Sequence, residues 1–152
     1  MPESPALLAD DIPRRSGTGY PAPFREMVAG RSWQALGDAF GLTDFGVNLC
    51  TVLPAAASSQ RHWHTAQDEL VYMLDGELIL MTDAGRQPLR PGMVVGFPKD
   101  RPDGHHLINE SDAPARFLVV GSRCEGDECH YPDIDLLVTA DGVFRHRTGE
   151  PW

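Results

Sequence analysis

An all-β fold is what this sequence predicts, on three observations. Its apolar residues fall in short runs, many of them alternating with polar ones; fifteen Gly and thirteen Pro are scattered between those runs; and no long segment carries a helical period. With 152 residues, 41% of them hydrophobic, the chain suits one domain with a single sizeable core.

Taken in order, residues 1–24 are rich in Pro, Gly, Ser and charge and read as an extended N-terminal arm, leaving residues 25–152 for a barrel that ends in a C-terminal hairpin. Between Phe24 and Leu42 two readings stand: a strand to Val28 followed by a turn and a second strand, or a short helix ending near Gly37. Phe45 to Leu53 is a strand, since Val47 and Leu49 alternate with Asn48 and Cys50 until Pro54 stops the run. Ala55 to Gln60 is a loop of small residues. Glu69 to Leu74 is the next strand, and Leu78–Met81 and Leu89–Phe97 are expected to frame a hairpin around Asp83-Ala84-Gly85. Arg90-Pro91-Gly92 has the composition of a tight turn. Ala115 to Gly121 is rich in β-branched residues, and Leu136–Thr139 and Val143–His146 flank Ala140-Asp141-Gly142, where Asp-Gly signals a hairpin.

The chemistry is concentrated in Arg61 to Gly76. In a strand, alternate side chains share a face, so His62 and His64 point together, and so do Glu69, Val71 and Met73. Thr65 to Asp68 is long enough to turn between the two groups. Gln60, two residues before His62, is expected on the same face, as a pocket residue. Further on, Gly104-His105-His106-Leu107-Ile108-Asn109 places His105, Leu107 and Asn109 on one side. Three imidazoles and one carboxylate suit a first-row transition ion and are too nitrogen-rich for calcium or magnesium.

At these residues the chain resembles the cupins. Their first motif, Gly-x5-His-x-His-x3 or x4-Glu-x6-Gly, is matched by His62, His64, Glu69 and Gly76. Their second, Gly-x5-Pro-x-Gly-x2-His-x3-Asn, is matched by Gly92, Pro98, His105 and Asn109. Two departures stand out: Ala56 occupies the place of the leading Gly, and the segment from Pro98 to His105 is two residues longer, with Gly104 directly before His105. The longer segment makes His106 the alternative third imidazole, although His105 keeps the interval to Asn109. The resemblance implies a jelly-roll barrel, with His62, His64, Glu69 and His105 holding one divalent ion, whether Fe, Mn, Ni, Zn or Cu. Gln60, Val71, Met73, Leu107 and Asn109 would lie around the ion.

Such a donor set leaves open positions on an ion that prefers six ligands. Oxygenation, isomerisation through a polarised carbonyl, and hydrolysis or elimination by an activated water all fit, so a metal-dependent enzyme acting on a small organic molecule is expected. The alternative is a binding or sensing module without turnover. A net charge of −9 argues against nucleic acid or an anionic membrane as partner. Lys99 and Arg101, in the loop before His105, are candidates for drawing in an anion, or are solvated surface charges. Cys50, Cys124 and Cys129 make no secreted disulfide framework, and Cys124-x4-Cys129-His130 supplies at most three of the four ligands of a closed zinc site, so free thiols in the cytoplasm are expected. A homodimer is expected as well, because a jelly roll leaves edge strands open and the arm has no evident place in the barrel's core.

Overall fold

A computed structural model describes residues 6–152, and every strand pairing in it is antiparallel. The strands are β1 (Arg14–Ser16), β2 (Arg31–Ala35), β3 (Phe45–Val52), β4 (Trp63–His64), β5 (Glu69–Asp75), β6 (Leu78–Thr82) and β7 (Gly85–Leu89). They continue with β8 (Val94–Phe97), β9 (His106–Ile108), β10 (Ala115–Ser122), β11 (Cys129–Tyr131), β12 (Leu136–Val138) and β13 (Phe144–Arg145), and a single helical turn, α1 (Leu36–Ala39), follows β2. One sheet has the order β1-β2-β3-β10-β5-β8. Facing it are β13-β12-β11-β4 and β7-β6-β9, joined by antiparallel bridges between Ala57 and Ile108 and between His62 and His105. Two sheets closed face to face in this way form the jelly-roll barrel.

Alternation along β5 shows why the sequence closes as it does. Val71 and Met73 are buried, whereas Leu70, Tyr72 and Leu74 between them stay exposed on the outer face. The same parity turns Glu69 inward. The inner residues of both sheets, among them Val52, Met73, Leu78, Leu80, Leu107 and Phe117, form the main core. Gly76 turns the chain from β5 to β6 with a φ of +75°, and a Cβ there would stand 2.7 Å from the Ala115 Cα, so only glycine fits.

The departure at Ala56 has a local explanation. Ala56 is buried, and a Cβ on Gly30 would come within 2.8 Å of its methyl group, so the space that a leading glycine would leave is supplied by Gly30 on the adjoining segment, whose carbonyl accepts the Leu53 N–H.

Three sequence expectations change. The stretch from Phe24 to Leu42 follows neither reading whole: the strand expected to Val28 is a 3₁₀ turn at Glu26–Val28, the second strand is present as β2, and the helix is the single turn α1, which begins at Leu36. The hairpin after β6 returns as Gly85–Leu89, not Leu89–Phe97; Pro88 is tolerated there because β7 is an edge strand, and the turn around Gly92 then leads into β8. The arm, finally, does have a place on its own barrel. Its β1 pairs with β2, the Gln34 amide donates to the carbonyls of Ala9 and Ile12, and Tyr20 is buried in a second apolar cluster with Val28, Cys129, Tyr131 and Leu136.

Candidate metal centre

Nε2 of His105 lies 2.7 Å from Oε2 of Glu69, and Nε2 of His62 and of His64 each lie 3.6 Å from the same oxygen. Three ring nitrogens, one from β4 and two from the His62–His105 bridge, thus converge on one carboxylate oxygen of β5. The cause is register. His62 and His105 exchange both backbone hydrogen bonds, His62 N to His105 O at 3.1 Å and His105 N to His62 O at 2.8 Å, so their side chains stand on one face as cross-strand neighbours. His106, one residue on, is the strand partner of Met81 and belongs to no cluster of converging donors among the described residues.

The two-residue insertion before His105 is absorbed without disturbing this register. Asp100, with a φ of +56°, bends the loop and its N–H donates to the His64 carbonyl, while Arg61 donates to the Gly104 carbonyl and pairs with Asp83 and Asp133. Arg61 is thereby the clamp on the inserted loop.

The outward nitrogens are also held. Nδ1–H of His62 donates to the Gln60 carbonyl at 2.9 Å, with the Ser59 hydroxyl at 3.2 Å, and Nδ1–H of His64 donates to Asp127 at 2.7 Å. With the proton on Nδ1, each ring offers an Nε2 lone pair to the centre, which is the tautomer an ion needs. His105 is stacked flat on Phe97, 3.5 Å between ring centroids, and its Nδ1 has no partner. The donor set fits a divalent transition ion: nitrogen and oxygen donors, deprotonated or readily so, directed at one point.

Electrostatics are set by the carboxylate. Burial alone would raise Glu69, but the hydrogen bond from His105 and the nearby His62 outweigh it and hold the carboxyl well below its usual range. Burial likewise works against a charged His62, yet Glu69 more than offsets it and raises that imidazole, whereas for His105 burial wins and lowers it.

These donors open into a barrel cavity of about 540 Å³, the size of small-molecule sites. Val71 and Leu107 line it as expected. Gln60, Met73 and Asn109 do not. The Gln60 amide turns away to donate to the Phe24 carbonyl, so only its backbone serves the site; Met73 is fully buried in the core; and Asn109, also fully buried, ties Val52, Ala113 and Ser111 together. Arg101 borders a smaller recess behind His64 and His105, and Lys99 lies in the exposed part of the same loop.

Sequence reasoning missed Asp127, Ser59 and Arg31 in the cavity wall; Cys129 is the free thiol expected, and it too lines the cavity. Cys129 is the strand partner of His64, and its sulfur joins His62 and His64 in a second group of potential donors. Burial pushes its thiol up to about 12, which keeps it protonated at neutral pH and favours the set that contains Glu69. Cys124 is exposed and outside the site.

The cupin domain model matches residues 48–121. The structure of a sugar phosphate isomerase of the cupin superfamily from Silicibacter pomeroyi is 44% identical, with 97% of this chain and 96% of that one superposing at a TM-score of 0.92. This chain belongs to the cupin superfamily. A proposed sugar phosphate isomerase from Acidithiobacillus ferrooxidans is 31% identical over 76% of this chain and 70% of that one, at a TM-score of 0.68. The polyketide cyclase RemF from Streptomyces resistomycificus, 20% identical over 77% of this cupin and 78% of its own chain, shares the fold at a TM-score of 0.65. No curated protein matches.

Proposed function

We propose that this cupin is a metal-dependent isomerase that moves a proton between neighbouring carbons of a small hydroxy-carbonyl compound. The observation that carries the reading is His106. Its Nδ1–H donates to the Ser59 carbonyl at 2.9 Å, which leaves the Nε2 lone pair free in the wall of the same cavity as the metal donors. Burial lowers its proton affinity, so it stands neutral near pH 7, as a general base must.

His62, His64, Glu69 and His105 hold the ion in this reading. Bound there, a divalent ion supplies Lewis acidity toward a carbonyl or enediolate oxygen. Val71, Phe97 and Leu107 keep water from the carbon that carries the proton, and His106 takes that proton from one carbon and returns it to the next, while the hydroxyl proton passes from the oxygen that becomes the carbonyl to the one that becomes the hydroxyl. The likeness to the two sugar phosphate isomerases supports the substrate class, and a purely binding module has no use for a buried free base.

The test is proton exchange with solvent. Metal-loaded protein in D₂O is incubated with aldose and ketose phosphates of three to six carbons, and label at the carbon beside the carbonyl is followed by NMR. The expected result is exchange with one of them, lost at least a hundredfold in His106→Gln while metal content stays constant. Bound substrate with no exchange in wild type would make the protein a binding module. Undiminished exchange in the variant would remove His106 from the mechanism.

A further inference from the structure

The proposed reading leaves the far end of the substrate without a partner, and the cavity wall holds a group suited to it. Arg31 and Trp33 alternate on β2, and Asn48 and Cys50 alternate on the neighbouring β3; all four side chains line the cavity. Two Arg31 N–H groups are used: Nη1 donates to the Ser58 carbonyl at 2.8 Å and Nη2 to the Gly17 carbonyl at 3.1 Å. Its Nε is buried without a partner, and the guanidinium carbon lies 5.3 Å from the Trp33 ring centroid. No described carboxylate pairs with it.

A cation enclosed in a cavity is costly unless an anion or a full set of hydrogen bonds meets it. Arg31 has neither. Two carbonyls and an aromatic face fix the plane of the guanidinium, and with Nε–H buried, one N–H on each of Nη1 and Nη2 is left for an oxyanion. The Ser58 carbonyl that Arg31 grips opens the bend that carries, four residues on, the metal donor His62, and both Arg31 and His62 line the one cavity. The chain carries a net charge of −9, and in such a protein a single unpaired cation inside the cavity selects the sign of what enters.

We propose that Arg31 binds the terminal oxyanion of the substrate, a phosphate or a carboxylate, while its reacting end faces the metal donors and His106. This rests on the cavity being the substrate site, not on the isomerisation itself.

The experiment uses full-length protein stripped of metal by chelation, so that the anion cannot bind an ion instead. Inorganic phosphate and acetate are titrated separately by NMR line broadening, against wild type, Arg31→Gln and Arg31→Lys. One or both anions should bind wild type, with the better arm naming the oxyanion. Arg31→Gln should weaken it about tenfold or more, with Arg31→Lys between them, while zinc affinity measured separately stays at the wild-type level. Phosphate or acetate should also protect Arg31 of the wild-type protein from an arginine-specific dicarbonyl, read by peptide mass spectrometry, which answers the question should Arg31→Gln fail to fold. Anion binding unchanged in Arg31→Gln, no binding of either anion to wild type, or no protection of Arg31 overturns the proposal. Failure of the exchange assay above, with anion binding intact, would sink the isomerase reading alone.

Discussion

His105 and Glu69 meet at 2.7 Å, Nε2 to Oε2, across a gap that two strands and an inserted loop had to close. In the metal-free protein this is a hydrogen bond donated by the imidazole; a bound ion would replace that proton. The pair therefore couples metal binding to proton release.

That coupling fixes a pH dependence. His62 is raised in the folded metal-free protein, so its contribution to stability is present below the unfolded value of about 6.5 and is lost as pH rises through the higher folded value. Glu69 is depressed, so its contribution is present above the unfolded value of about 4.3 and is lost as pH falls through the lower folded value. Metal competes with the His62 proton. The rise in Tm on adding zinc should thus grow as pH increases from about 5.5 to 7.5, and Glu69→Gln should flatten that growth; a zinc-induced shift independent of pH would contradict the coupling.

Asp127 holds His64 from behind at 2.7 Å and also accepts the Ala66 N–H at 2.8 Å. Asp127→Asn should lower metal affinity about ten- to a hundredfold with the fold retained, which isothermal titration can read directly. Affinity equal to wild type would mean that His64 needs no orientation from this carboxylate.

Gly76→Ala tests the barrel rather than the site. The left-handed φ and the 2.7 Å approach to Ala115 predict a loss of about 2 kcal/mol or more in urea unfolding. A loss under about 0.5 kcal/mol would show that the β5–β6 turn can relax.

Much of this was legible in the sequence because strand parity is local. The inward sides of His62, His64, Glu69 and Val71 follow from a period of two, and the insertion before His105 left the interval to Asn109 intact. Gln60 failed the same rule because residues 58–61 bend instead of extending, so parity stops at the strand's edge. Asp127 and Cys129 were illegible for another reason: they reach the site through the pairing of β11 with β4, a contact between segments some sixty residues apart that no local pattern encodes. Arg31 lay in the stretch where two secondary-structure readings competed, and its side was undefined until β2 was.

The chain's two overlapping donor groups give the most direct measurement. Crystals of the cobalt-loaded protein, with anomalous data at the cobalt edge, would locate the ion among the candidate ligands, and an absorption spectrum of the same material would report any thiolate bond. The account predicts one site between the Nε2 atoms of His62, His64 and His105 and the Glu69 carboxylate, no sulfur-to-cobalt band, and full loading of Cys129→Ser and His106→Gln but not of His105→Ala. A peak against Cys129 with a strong thiolate band, or loading lost in His106→Gln and kept in His105→Ala, would contradict it.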